Sequence, residues 1–257
     1  MLIEKWYLDC VTADGAGLIG YAARMGWGPV SLRCAETLQW RPGDPAARER
    51  TRWSGALPAT GPDGVAWRCR GLDTDGRWQP RESGIATVTL LEEPAGRVEW
   101  TCLCPAARVS VNAGGRPYDG WGYAERLVMT LPPAKLPIRE LRWGRFLADA
   151  QSCVWVRWRG PVERNWCFHQ GKPVDAAMPD SHHLAWGRHR LQLEPGTTIR
   201  TGRVADTAWH GAGVRRWLLP ERVRGIQETK LCSRGTLIDP QGRAHPGWAI
   251  HEVATFP

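Results

Sequence analysis

The sequence predicts an all-β protein of the sandwich or barrel type, made of two similar domains. Three observations support this fold class. Apolar residues recur at every second position, turn residues interrupt this alternation at short intervals, and one segment is repeated about half a chain later. Many short strands at close spacing are typical of sandwiches and barrels. The 257 residues are enough for one large domain or for two domains of about 130 residues.

The alternation is clearest around residues 97–104. In an extended strand, Val98, Trp100, Cys102 and Cys104 share one face, and the residues between them share the other. Glycine and proline are abundant, at 29 and 20 residues, and pairs such as Asp-Gly mark turns. The one weak helical candidate is 44–50, so helices are expected to contribute little.

The repeat relates residues 99–125 to residues 227–252. The Leu-Cys pair at 103–104 aligns with that at 231–232, the Gly-Trp pair at 120–121 aligns with that at 247–248, and Glu125 aligns with Glu252. A repeat at half the chain length indicates a duplicated domain. The proline-bearing stretch 132–137 is the expected boundary, which gives domains 1–137 and 138–257. The alternative is a chance match between two strand-turn-strand patterns.

The charge pattern limits the classes of partner that the protein is expected to bind. The formal net charge is +8, and arginines alternate with tryptophans at 155–159, as in some nucleic-acid-binding surfaces. Because the basic residues are scattered and form no run of four, no nucleic-acid partner is expected. Peripheral contact with an acidic membrane surface fits the same charge slightly better. The N-terminus lacks a signal-peptide pattern, so a soluble, cytoplasmic protein with reduced cysteines is expected.

No motif for a metal or an organic cofactor is present. Cys102 and Cys104 have no second cysteine pair at zinc-binding spacing, and His182, His183 and His189 lie in polar, loop-like surroundings. Phosphate-binding and dinucleotide-binding glycine motifs are also missing. The expected cofactor is therefore none.

A carboxylate stands on an otherwise apolar strand face in each half. In the first half, Glu125 shares its face with Trp121, Tyr123, Leu127 and Met129. Burial raises the pKa of a carboxyl and suits it to act as a general acid. The alternative is a structural role, in which an inward glutamate pairs with an arginine.

The second half favours that structural role. Glu252 lies between Ile250 and Ala254 on its strand face. Glu228 and Lys230 occupy the positions of Trp100 and Cys102 in the repeat, and a solvated face or a structural pair is the favoured interpretation for them.

Three segments carry a resemblance to a known family. Residues 120–126, GWGYAER, resemble the G-x-G/A-[YW]-x-[DE]-[HR] element of hydroxyneurosporene synthase (carotenoid 1,2-hydratase) and AttH-like proteins, which are similar to tocopherol cyclases and lipocalin-like pericyclases. Residues 4–9 resemble the opening strand of that family, and residues 136–146 resemble the start of its second domain. The resemblance implies two tandem lipocalin-like (calycin) β-barrels or curved sheets with an apolar pocket between or inside them. It also implies hydratase, isomerase or cyclase activity on an isoprenoid or polyketide without a cofactor.

The resemblance places Glu125 where the family carries its acidic residue. We therefore predict that Glu125 is the catalytic acid and that Tyr123 orients it or relays its proton. The predicted substrate-binding residues are Trp6, Tyr7, Trp100, Trp121, Arg142, Trp143, Arg145 and Glu252. Arg142 and Arg145 either hold an anionic group of the substrate or pair with Glu125 and keep it ionised.

Two other functions remain open at this stage. The same barrels would serve a binding protein that carries a hydrophobic ligand without chemistry, and filled barrels would serve a purely structural domain. The sequence does not distinguish a monomer from a homodimer.

Overall fold

The computed structural model describes residues 1–178, 180–207 and 220–257 and confirms the all-β class, with 66% strand and 4% helix. Contacts between Cα atoms divide the chain into two compact units, Met1–Leu136 and Pro137–Pro257. Each unit is a curled antiparallel sheet, and together they have a two-domain, lipocalin-like fold. All eight cysteines are reduced.

Unit 1 contains ten strands in a single sheet. The strands are β1 (Leu2–Val11), β2 (Gly17–Trp27), β3 (Val30–Trp40), β4 (Arg48–Arg52), β5 (Ala59–Gly61), β6 (Gly64–Cys69), β7 (Thr74–Pro80), β8 (Ile85–Glu93), β9 (Gly96–Ala113) and β10 (Arg116–Met129). Their order is β4-β3-β2-β1-β10-β9-β7-β6-β5, and β8 also pairs with β9.

The described part of unit 2 contains nine strands, which form a second sheet. The elements are β11 (Glu140–Ala148), β12 (Ser152–Arg159), β13 (Arg164–His169), β14 (Lys172–Pro173), β15 (His183–Trp186), β16 (His189–Leu193), β17 (Thr197–Arg203), helix α1 (Glu221–Arg224), β18 (Gln227–Ile238) and β19 (Ala244–Thr255). The strand order is β14-β13-β12-β11-β19-β18-β16-β15, and β17 also pairs with β18.

The two sheets share one topology, which confirms the internal duplication. In each unit the first strand pairs with the last, the last pairs with the strand before it, and a side strand joins that penultimate strand. The register agrees as well. Glu125 lies opposite Tyr7 and Cys102, and Glu252 lies opposite Trp143 and Lys230.

Each unit has its own apolar core on one face of its sheet. In unit 1 the core includes Trp6, Leu8, Trp67 and Trp78. The indole N–H of Trp67 donates to the carbonyl of Ala56 at 3.0 Å, and that of Trp78 to a strand carbonyl of β1 at 2.7 Å. These bonds satisfy the polar edge of each buried indole. Unit 2 builds the corresponding core around Phe146, Trp155, Leu191, Leu193 and Leu237.

Two local expectations are wrong. Residues Arg48–Arg52 form strand β4 instead of continuing a helix from residue 44, because they pair along β3. The predicted common face of Cys102 and Cys104 is broken by a bulge, since Cys104 lies opposite Ala124 while Cys102 lies opposite Glu125. One extra residue in a strand turns its successors to the other face, so Cys104 enters the unit 1 core and Cys102 lies beside the carboxyl.

Within the described residues, no helix combines the length and the apolar character needed to cross a bilayer. The same part of the chain holds no group of three or more His, Cys, Asp or Glu side chains arranged to bind a metal ion.

Candidate active site

A row of four side chains crosses four neighbouring strands of unit 1. Tyr21 on β2 lies opposite Tyr7 on β1, Tyr7 lies opposite Glu125 on β10, and Glu125 lies opposite Cys102 on β9. Residues directly opposite one another in antiparallel strands point to the same side. Because side chains alternate along β1, this row lies on the face opposite to the core residue Leu8.

The Glu125 carboxyl is held by two hydrogen bonds to the same oxygen. The indole N–H of Trp100 donates to Oε2 at 2.5 Å, and the hydroxyl of Tyr123 donates to Oε2 at 2.6 Å. Trp100 is 2% exposed and Tyr123 is fully buried, whereas Glu125 itself is half-buried. An indole nitrogen can only donate, so both bonds orient the carboxyl and suit negative charge on Oε2.

The groups around this carboxyl are neutral donors at ordinary pH. Burial raises the pKa of Tyr123 well above its usual range, and the nearby Cys102 and Glu125 raise it further. Burial likewise raises the pKa of the Cys102 thiol, which makes a hydrogen-bonding contact with Tyr123. Because neither group readily loses its proton, Tyr123 remains a donor to Glu125.

Three tyrosine rings pack together in and beside the row. The ring centroids of Tyr7 and Tyr21 are 5.4 Å apart at an interplanar angle of 71°, and those of Tyr7 and Tyr123 are 6.0 Å apart at 64°. These are edge-to-face arrangements. The Lys5 ammonium already lies 4.9 Å from the Tyr21 centroid, which shows that a cation can be placed over this ring.

The equivalent position in unit 2 is occupied by a buried ion network. Lys230 is fully buried and hydrogen-bonds to Glu252, and its ammonium lies 3.8 Å from Glu228. The Arg200 guanidinium bonds Glu228 at 2.9 Å. Two carboxylates therefore balance two cations. The expectation of a solvated face at Glu228 and Lys230 is wrong, because both side chains are covered and paired; the structural alternative describes them.

The other predicted site residues have assigned contacts. Trp6 faces the unit 1 core, and its indole N–H donates to Glu4. The Trp121 ring lies 4.6 Å from the guanidinium carbon of Arg81 and 5.6 Å from that of Arg108.

In unit 2, the remaining predicted residues lie on β11. Arg142 donates to Glu140 at 2.8 Å, and the fully buried Arg145 donates to the carbonyl of Trp248 at 2.7 Å. Trp143 lies opposite Glu252. Thus the structure brings Tyr7, Trp100 and Tyr123 to Glu125, and places Trp6 on the other face of the same sheet.

Sequence reasoning missed Tyr21 and the role of Cys102 in the row. Tyr21 alternates with apolar residues on β2, and the turn at 12–16 closes the β1–β2 hairpin. A hairpin register counted from that turn would have placed Tyr21 beside Tyr7. No comparable signal marks Cys102, because its position depends on the bulge in β9.

The fold and this site define a two-domain lipocalin-like protein with a hydrogen-bonded carboxyl on its first sheet. No protein-family model matches the chain, and no curated protein sequence matches it. Solved structures do resemble it. A crystal structure described as AttH from Nitrosomonas europaea aligns with a TM-score of 0.61 and 12% identity over 98% of this chain and 91% of that one.

Two further structures extend the similarity. CghA aligns with a TM-score of 0.58 and 13% identity, covering 99% of this chain and 88% of that one. CghA has also been solved with Sch210972. Kievitone hydratase from Nectria haematococca aligns with a TM-score of 0.55 and 9% identity, covering 98% of this chain and 88% of that one. At these identities the likeness is one of fold, and it spans both units.

Proposed function

We propose that the protein is a cofactor-independent enzyme of the hydratase, isomerase or cyclase type, acting on a hydrophobic isoprenoid or polyketide. Hydration of a carotenoid-like alkene, as in hydroxyneurosporene synthase, is the particular reaction that the sequence resemblance favours. The single observation that carries the proposal is the Glu125 carboxyl, fixed through Oε2 by Trp100 and Tyr123. The fold likeness to kievitone hydratase supports the same class.

The hydrogen-bond pattern suits proton donation by Glu125. The Trp100 and Tyr123 donors act on Oε2, so a proton carried on Oε1 leaves both of these bonds in place. When that proton passes to an alkene carbon or a carbonyl oxygen, negative charge develops on the carboxylate. The bonds from Trp100 and Tyr123 strengthen as this charge develops, so they stabilise the transition state more than the ground state.

The tyrosine rings suit the other product of that step, the substrate cation. The faces of Tyr7 and Tyr123 are apolar and electron-rich, and such faces stabilise a desolvated cation by about 2 kcal/mol. Addition of water then forms a carbon–oxygen bond, and the released proton returns to the Glu125 carboxylate. An internal nucleophile in place of water gives cyclisation, and loss of a neighbouring proton gives isomerisation.

The network in unit 2 supports assigning the chemistry to one half. Glu252 is neutralised by Lys230, and a carboxylate in such a pair is a poor proton donor. All of the predicted substrate contacts stay predictions; they are Trp6, Tyr7, Trp100, Trp121, Arg142, Trp143, Arg145 and Glu252.

The test is turnover of an isoprenoid and polyketide panel by the full chain, followed by mass spectrometry of the products. Glu125→Gln keeps the shape of the side chain and removes the proton, and it is expected to abolish turnover while saturable ligand binding persists. The matched control is Glu99→Gln, the same change on the neighbouring strand β9, where Glu99 pairs with Arg97. This control is expected to retain activity.

Two outcomes would overturn the assignment. Unchanged turnover in Glu125→Gln shows that another group donates the proton. Micromolar ligand binding by the wild-type chain without any product indicates a carrier of hydrophobic ligands instead of an enzyme.

A further inference from the structure

Unit 2 carries three guanidinium groups on one face of two neighbouring strands. Arg142 on β11 lies directly opposite Arg157 on β12, and Arg159 lies opposite Glu140. Because opposite residues and alternate residues of a strand share a face, all three arginines point to the same side. Like charges directly opposite one another are unfavourable unless a counter-charge lies between them.

The carboxylates near these arginines leave part of the positive charge without a close partner. Glu140 serves two of them, at 2.8 Å from Arg142 and 3.6 Å from Arg159. Arg157 reaches Glu163 only at 3.9 Å.

Two guanidinium nitrogens in this group are buried donors without an acceptor. They are Nη1 of Arg142 and Nε of Arg159, judged against residues 1–178, 180–207 and 220–257. The side chains of Arg142 and Arg157 are only 15% and 18% exposed. Buried donors without a partner are uncommon in native structures, so this face of the sheet carries more guanidinium donors than its nearby acceptors satisfy.

A cleft of about 500 Å³ opens beside Arg157. We call it the arginine cleft; its walls include Arg157, Glu163, Arg164, Asn165, Met178 and Ala185. Met178 also belongs to the apolar core of unit 2. The cleft thus combines two guanidinium groups, an amide and the Glu163 carboxylate with an apolar surface, so its net charge is positive. Its volume lies within the range of small-molecule sites.

We propose that the arginine cleft binds the anionic head of a small amphiphile, with a carboxylate or phosphate monoester against Arg157 and an apolar chain against Met178 and Ala185. Guanidinium N–H groups match both of these anions, because each offers two oxygens in one plane. Arg157 has N–H groups besides the one that Nη1 donates to the carbonyl of Met178. The anion would also counter the charge of the adjacent Arg142. The inference goes beyond the function proposed for Glu125, because every residue that it uses lies in unit 2.

The test is calorimetric titration of the full chain with octanoate, octyl phosphate and neutral octanol. Octanoate, octyl phosphate or both are expected to bind, more weakly at high salt, and octanol is not. Tighter binding of octanoate indicates a carboxylate site, and tighter binding of octyl phosphate indicates a phosphate site. Arg157→Gln is expected to weaken binding by at least ~10-fold. The matched control, Arg188→Gln, changes an exposed arginine in the turn between β15 and β16 and is expected to have no effect.

Two further variants keep the result decisive. Arg157 also donates to the carbonyl of Met178, so Arg157→Gln removes a structural contact together with the charge. Ala185→Trp separates the two effects, because it fills the cleft and keeps Arg157. Ala185→Trp is expected to abolish binding as well. The proposal is overturned if octanol binds as well as the anions do, or if no anion binds. It is also overturned if Glu125→Gln abolishes anion binding while Ala185→Trp leaves it intact.

Discussion

Replacing the buried lysine of unit 2 tests whether its ion network is structural. Lys230→Met removes the charge, and methionine retains most of the length and apolar volume of the stem. Glu252 then loses its Lys230 partner, while Glu228 keeps Arg200 at 2.9 Å. The expected result is a large loss of stability, because a carboxylate that was neutralised is left in a covered position.

The magnitude follows from burial and distance. Lys230 is fully buried, and its ammonium lies 3.8 Å from Glu228 in addition to its bond with Glu252. Unit charges at this separation interact by about 4 kcal/mol at an effective dielectric constant of 20. Breaking a buried pair by removing one partner costs about 3–5 kcal/mol. Because the Glu252 side chain is 16% exposed, we expect the lower end, about 3 kcal/mol.

The assay is urea unfolding of the full chain, followed by tryptophan fluorescence. A loss of about 3 kcal/mol lowers the unfolding midpoint of the affected unit by roughly 2 M urea. The double variant Lys230→Met, Glu252→Gln removes both charges and is expected to recover at least about 1 kcal/mol relative to Lys230→Met alone. Lys172→Met, the same change at an exposed lysine, is the control and should stay within about 0.5 kcal/mol of wild type.

The reasoning fails if Lys230→Met also stays within about 0.5 kcal/mol of wild type. That result would mean that the network is solvated in solution and contributes no more than an exposed pair does.

Three further predictions concern the site and the cores. Tyr123→Phe removes one donor from Glu125, and we expect kcat to fall by about 10- to 100-fold with little change in KM, measured by steady-state kinetics. Burial, aided by the charges of His182 and Lys230, lowers the pKa of His251 to about 4 from 6.5. The native state therefore binds fewer protons than the unfolded state between these values, so stability falls as the pH drops from 6.5 to 4, by up to roughly 3 kcal/mol. His251→Gln should flatten that slope in urea titrations, and an unchanged slope would assign it to other groups. In Gly144→Ala, the new methyl group would overlap the Trp155 ring in the unit 2 core, and thermal unfolding should report a loss of about 1–3 kcal/mol. If Gly144→Ala melts at the wild-type temperature, the Trp155 ring does not pack against Gly144 as described.

The sequence predicted the fold class because apolar residues recur at every second position along most strands. It also predicted the position of Glu125, since an acidic residue between Tyr123 and Leu127 breaks an apolar face in a way that requires no tertiary information. The repeat added the correspondence between Glu125 and Glu252, which the shared register of the two sheets confirms.

The contacts that decide the chemistry were harder to predict from the sequence. Trp100 reaches Glu125 diagonally from the neighbouring strand β9, and the bulge beside Cys102 sets which β9 side chains face the carboxyl. A bulge produces no periodic signal in the sequence, so the assumption of strict alternation placed Cys104 on the wrong face of β9. The pairing of Lys230 with Glu252 depends on the β18–β19 register, which a single sequence constrains only through its turn.

The sequence did not predict the arginine cleft, for a similar reason. Arg142 and Arg157 are 15 positions apart in the sequence and become neighbours only through the β11–β12 register. Met178 joins them from a segment outside the strands. Local sequence patterns therefore gave no sign of a shared site.

The most direct test of the central claim is transfer of a solvent deuteron to a substrate carbon. Wild-type chain incubated in D₂O with a turned-over alkene from the panel should give product with one deuterium on carbon, delivered by Glu125, and Glu125→Gln should give no labelled product above background. Equal labelling by the wild-type chain and Glu125→Gln would contradict the assignment of Glu125 as the proton donor.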